Sequence, residues 1–231
     1  QTIMATIANN LQLVRERINQ ACSRVGRAPD SVTLLAVSKT FPAETVREAF
    51  HAGQRKFGEN YVQEAVDKIA ALADLRDQIE WHMIGPLQSN KTRVVAEQFD
   101  WVHTVDRLKI AQRLSEQRPP HLPPLQVCIQ VNTSGEASKS GVAPNEALEL
   151  AQAVMNLPRL TLRGVMALPA PTSDPALQKV ELKDVRVVFD TLRSAGVPLD
   201  TLSMGMSGDM EAAVEEGSSM LRVGTALFGN R

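Results

Sequence analysis

A lysine closes a short apolar run early in the chain, Val32-Thr-Leu-Leu-Ala-Val-Ser-Lys39-Thr40. A run of about four to eight apolar and β-branched residues ahead of a Pro-containing turn, here Phe41-Pro42, is the pattern of a buried strand. An ammonium at the end of such a strand is costly unless it is paired or neutralised. It can also be carried out to solvent on its alkyl stem. The other reading is a functional amine, able to form a Schiff base with a carbonyl compound. Two glycine-rich stretches lie near the opposite end of the sequence. Gly205-Met206-Ser207-Gly208 precedes a helical pattern, and Gly224-Thr225 follows the last apolar run. Glycines let backbone N–H groups approach an anion, and hydroxyls add donors. Ordinary tight turns use the same residues.

These groups have to be positioned by the elements around them. Residues 4 to 26 carry Ile7, Leu11, Val14, Ile18 and Cys22 at helical spacing. Strands are then expected at 32–39, 56–58, 80–84, 101–105, 125–131, 160–168, 199–204 and 220–223. Helices are expected at 42–51, 61–72, 90–98, 106–117, 144–156, from 175 to about 194, and from 209 to 216. Asp106 reads as the cap of the fourth of these helices. Two proline-rich segments, 119–124 and 169–175, read as stiff loops within one domain spanning 1–231. Alternating β and α units at this spacing predict a parallel sheet with both faces covered. Eight such units match a closed (β/α)8 barrel, with the N-terminal helix standing in for one after the eighth strand. An open doubly wound sheet is the alternative, although no GxGxxG follows the first strand.

In a barrel the functional face is the C-terminal end of the strands. Lys39, Asn60, His82, Asn132, Ser203, Met206, Ser207, Arg222, Gly224 and Thr225 all fall at or near that face. Asn60 and Asn132 are equally readable as helix or turn caps. Barrel closure sets strand one beside strand eight, so Lys39 would stand next to the two anion-binding loops. An amine beside a phosphate cup suits a phosphorylated carbonyl compound held as an imine, and pyridoxal 5′-phosphate (PLP) is the natural candidate. A barrel aldolase acting on a phosphorylated sugar would use the same groups. Arg222 would lie close to a bound PLP ring, and a permanently charged guanidinium facing the pyridine nitrogen opposes its protonation. Such a site would hold the cofactor and be poorly suited to strong carbanion chemistry.

The bulk properties restrict the remaining possibilities. With 25 basic and 26 acidic residues and a net charge of −1, no field favours nucleic acid or an anionic membrane. No apolar run approaches the ~18 residues needed to span a bilayer. The first residues lack a basic stretch followed by an apolar one, so no signal peptide is expected. Cys22 and Cys128 form no CxxC motif and suggest core packing in a reducing compartment, the cytoplasm.

Six segments carry a resemblance over essentially the whole chain. They are Ala36-Val-Ser-Lys-Thr40, Phe57-Gly-Glu-Asn-Tyr61, Trp81-His-Met-Ile-Gly-Pro-Leu-Gln-Ser-Asn-Lys91, Gly164-Val-Met-Ala167, Gly205-Met-Ser207 with Asp209, and Arg222-Val-Gly-Thr-Ala-Leu-Phe-Gly229. Together they resemble the PLP homeostasis proteins of the YggS/PROSC type. The resemblance implies a fold-type III barrel similar to the N-terminal domain of alanine racemase. It implies an internal aldimine of PLP on Lys39. It further implies phosphate contacts from Ser207, Gly224 and Thr225, and a ring-nitrogen contact from Arg222, with Asn60, His82 and Ser203 nearby. It implies control of free PLP, with PLP-requiring apo-enzymes as possible recipients, rather than a catalysed reaction.

Fold-type III racemases draw a tyrosine base from a second domain and a partner subunit. This chain has one tyrosine, Tyr61, expected at a helix start, and a monomer is expected. A weak racemase acting on amino acids, with a base such as His82, is the alternative. Two positions depart from the pattern of some bacterial members. Phe41 stands where they carry a second lysine, and the sequence stops at Asn230-Arg231 where they carry a lysine-bearing tail. Lys139 matches a family loop and reads either as a solvated side chain or as a second PLP contact.

Overall fold

In a computed structural model the structure describes residues 6–137 and 139–230. Residues 4 and 5 of the expected first helix, the residues before them, Ser138 and Arg231 lie outside the described residues. Eight parallel strands close into a barrel in the order β1 to β8. They are β1 (Thr33–Val37), β2 (Lys56–Glu59), β3 (Glu80–Met83), β4 (Trp101–Val105), β5 (Leu125–Gln130), β6 (Leu160–Met166), β7 (Thr201–Ser203) and β8 (Met220–Val223). The helices are α1 (Ile7–Arg24), α2 (Ala43–His51), α3 (Val62–Ala71), α4 (Thr92–Gln98), α5 (Leu108–Gln117), α6 (Ala147–Met155), α7 (Pro175–Ser194), α8 (Met210–Glu215) and α9 (Thr225–Phe228).

Closure is made by β1 against β8, where Leu35 pairs with Arg222 and Ala36 with Val223. Strand side chains alternate between two cores. Leu34 and Ala36 join the large core between strands and helices. Leu35 and Val37 join a smaller one with Ile84, Trp101, Cys128, Met166 and Met220, which fills the barrel itself. On α1, the buried residues Leu11, Val14, Ile18, Ala21 and Cys22 are the apolar stripe legible in the sequence, and α1 packs on α8 and α9.

Three expectations are corrected. Strand β1 ends at Val37, so Lys39 belongs to the following turn and not to the strand. A short helix, α9, does follow β8, so α1 is an addition to the eighth unit and not its replacement. Asp106 does not cap α5, whose N-cap position is Arg107 with no side-chain cap bond. Its carboxylate accepts the Gly141 N–H at 3.0 Å instead. The β5–α6 loop reaches across and satisfies that oxygen, and Gly141 enters the required left-handed conformation (φ 113°).

Candidate functional site

The C-terminal ends of β1, β2, β7 and β8 enclose a cavity of about 320 Å³. Lys39 and Asn60 line it from one side. Met206, Ser207, Arg222, Gly224 and Thr225 line it from the other. Seven of the ten residues expected at or near the functional face are therefore brought together by strand closure, from opposite ends of the sequence. Asn60 is not a cap: α3 begins with Tyr61 at its N-cap position. The Asn60 Oδ1 is buried and finds no hydrogen-bond partner. A buried acceptor left unsatisfied is costly, and here it lies in the wall of a cavity able to supply a donor from a ligand. The Ser207 hydroxyl faces α9, where it accepts the Ala226 N–H at 3.3 Å. Asp209 Oδ1 accepts the Met206 N–H at 2.6 Å and so ties down the β7–α8 loop.

His82 and Ser203 do not line this cavity. Both are fully buried inside the barrel, one layer beneath it, in a chain of hydrogen bonds that begins at Arg222. The guanidinium donates from Nη1 to Ser203 Oγ at 2.6 Å and from Nη2 to the Ala167 carbonyl at 2.8 Å. Ser203 Oγ also meets His103 Nδ1 at 2.9 Å; with both rings neutral and the Glu80 carboxylate accepting from His82 Nε2, the Ser203 proton goes to His103 Nδ1. His103 Nε2 then meets His82 Nδ1 at 2.8 Å, and His82 Nε2 meets Glu80 Oε1 at 2.7 Å. The polarity runs one way, from the cation at the cavity to a half-exposed carboxylate at the start of β3. His82 also stacks on Trp101 at 5.0 Å.

Burial lowers the pKa of His82, against the pull of Glu80. It lowers His103 well below the usual imidazole value, with His82 and Arg222 adding to the effect. Both shifts favour the neutral rings, and neutral rings are compatible with the hydrogen-bond pattern. Burial also brings the Arg222 guanidinium down to about 10, against Asp209 and Cys128, which leaves it charged at neutral pH.

His103 is the residue that sequence reasoning missed. In mid-strand it reads as a core residue. The available signal was a second histidine on the neighbouring strand, two residues beyond Trp101, the register partner of His82. Two other expected features fall elsewhere. Asn132 is a turn residue, its Oδ1 accepting the Ser134 N–H at 3.0 Å. Lys139 pairs with Glu136 at 3.7 Å and lines two neighbouring cavities rather than that of Lys39.

The chain matches the model of the family described as "Alanine racemase, N-terminal domain" over residues 5–231. It is 60% identical over 228 residues to the pyridoxal phosphate homeostasis protein of Pseudomonas aeruginosa, covering 99% of this chain and 97% of the relative. To the protein of the same name from Escherichia coli K12 it is 57% identical over 229 residues, covering 99% and 98%. Among solved structures it is similar to PipY of Synechococcus elongatus, determined with PLP bound. That match has a TM-score of 0.85 and 37% identity, and covers 97% of this chain and 100% of PipY. A seam that unites an amine, an orphaned amide oxygen and two glycine-rich loops, with relatives this close over their full length, settles the family. The chain belongs to the pyridoxal phosphate homeostasis proteins, on the fold of the alanine racemase N-terminal domain.

Proposed function

We propose that this chain binds PLP in the cavity at the β1–β8 seam and serves in PLP homeostasis as a carrier. The observation that carries this reading is the convergence of Lys39, Asn60, Ser207, Arg222, Gly224 and Thr225 on one cavity. The residues suit the group. Lys39 Nζ is the amine for the aldehyde carbon, forming a Schiff base as the carbonyl oxygen leaves as water. Ser207, Gly224 and Thr225 form the phosphate cup, with Met206 beside them. Arg222 holds the ring nitrogen unprotonated, and Asn60 Oδ1 has an acceptor to offer the ring substituents. His82 and Ser203 act beneath the cavity, holding Arg222 in place.

PLP supplies an electron-withdrawing ring when bound, and the chain's own residues restrain that property. A guanidinium opposite the ring nitrogen keeps the ring from acting as a full electron sink. Tyr61, the single tyrosine, is 53% exposed at the N-cap of α3 and lies outside the cavity lining. These two features support carriage without robust turnover. We place the chain in the cytoplasm as a monomeric barrel domain over 1–231. The buried, unpaired Cys22 and Cys128 suit a reducing compartment. PLP-requiring apo-enzymes are the natural recipients. No helix among the described residues is long and apolar enough to cross a membrane.

The test is an absorption spectrum after incubation with PLP, before and after borohydride reduction, with mass mapping of the modified lysine. A band that Lys39→Ala abolishes, and a reduced adduct on Lys39, are expected. Equal absence of colour in the wild type and Lys39→Ala overturns the reading. Rapid exchange of the amino-acid Cα–H in deuterated water would replace carriage with catalysis.

A further inference from the structure

The turn that presents Lys39 is held from behind by charged side chains that do not line the cavity. Thr40 adopts a left-handed backbone (φ 68°), which a residue with a Cβ enters only at a cost. The residues on either side of Lys39 are each gripped. The Ser38 hydroxyl donates to Glu59 Oε2. Lys68 Nζ donates to the Ser38 carbonyl at 2.7 Å, to Glu59 Oε2 at 2.9 Å and to Glu64 Oε2. Glu64 Oε2 in turn accepts the Thr40 N–H at 2.7 Å. Ser38, Glu59 and Lys68 are buried.

An ion pair whose task was only to join β2 to α3 would need Glu59 and Lys68 alone. Here the same atoms reach a side chain, a carbonyl and an amide that flank Lys39. They hold the one non-glycine residue of this turn in the left-handed region. We propose that Glu59, Glu64 and Lys68 are positioning residues for Lys39, fixing the turn so that Nζ meets the aldehyde of PLP. The proposal rests on the PLP reading above. The bond formed is Nζ–C, and the carbonyl oxygen leaves as water. The brace contributes geometry and does not touch the reacting atoms.

The experiment compares the wild type with Glu64→Ala and Lys68→Met in two measurements. One is the rate of borohydride-trappable PLP attachment at Lys39. The other is the affinity for pyridoxine 5′-phosphate, which has the ring and phosphate but no aldehyde. Attachment is expected to slow about tenfold or more, because modest misplacement of a reacting group costs orders of magnitude. Affinity for the aldehyde-free compound is expected to change by less than about twofold, since the phosphate loops are independent of the brace. Attachment at the wild-type rate in both variants overturns the proposal, and so does parallel loss of both ligands. If Lys68→Met does not fold, Glu64→Ala decides the matter, because Glu64 is partly solvent-exposed. A wild type that is not trapped at Lys39 removes the PLP reading and the brace with it. A trapped wild type with unimpaired variants removes the brace alone.

Discussion

Arg222 and Ser203 lie on adjacent strands inside the barrel and meet at 2.6 Å, guanidinium to hydroxyl. The contact fixes a cation at the wall of the cavity and joins it to the hydrogen-bonded chain below. Replacing Ser203 by Ala leaves a buried guanidinium N–H without its acceptor and His103 Nδ1 without its donor. Such a loss costs about 2 kcal/mol. Urea unfolding is expected to show that loss, and PLP affinity is expected to fall because Arg222 loses one of its two anchors.

Glu59 provides a pH signature. Burial raises its carboxyl to about 7, although Lys68 and the Ser38 hydroxyl pull it down. A folded-state pKa above the unfolded value means that the native chain binds the extra proton between about 4.5 and 7. Stability from this group is therefore complete below the unfolded pKa and is lost as pH rises through about 7. The slope it contributes is at most about 1.4 kcal/mol per pH unit. His82 and His103, with lowered pKa values, act in the opposite sense, since they lose stability as pH falls below their unfolded value. The measurement is thus a difference. Unfolding free energy against pH for the wild type minus Glu59→Gln is expected to decline across that window. A flat difference would show that Glu59 stays charged.

Gly85→Ala tests how tightly Asn60 is held. A Cβ at Gly85 would stand 2.0 Å from the Asn60 backbone oxygen, and backbone cannot step aside as a side-chain tip can. Overpacking of this kind costs about 1–3 kcal/mol. Calorimetry with PLP is expected to show weakened binding in a variant that adds no atom to the cavity lining.

Ser207→Ala combined with Thr225→Val removes two hydroxyls from the proposed phosphate cup. Hydrogen bonds to a charged acceptor contribute about 1.5–3 kcal/mol each. PLP affinity is expected to fall about tenfold or more, while Lys39 still yields a reduced adduct at high PLP concentration. Unchanged affinity would move the phosphate to another part of the cavity.

The barrel and its seam were legible because they rest on signals that sequence carries well. Apolar runs separated by helical periods give the alternation, and closure then pairs the Lys39 turn with the Gly224-Thr225 loop. The interior network was less legible. His103 and Ser203 lie on strands a hundred residues apart in the sequence, and only the closed barrel shows that they touch. Lys68 was hidden for a related reason. The periodicity of α3 puts Val62, Ala65, Val66 and Ile69 on the inner face, and a lysine reads as solvent-facing. The structure buries Lys68 beside Ala65 and Ile69, because two carboxylates and the Ser38 carbonyl compensate the ammonium. The Glu64–Lys68 spacing of four residues was the one trace it left.

Seam closure also has a consequence for assembly. Lys39 precedes the second strand and Thr225 follows the eighth, so the two halves of the cavity meet only once the last strand has docked. Contacts between such distant segments form late and slowly. On the proposed function, a ligand anchored at both ends of the cavity acts as a clasp across the joint where the ring shuts. It favours the closed barrel by mass action, and loading becomes a readout of completed folding.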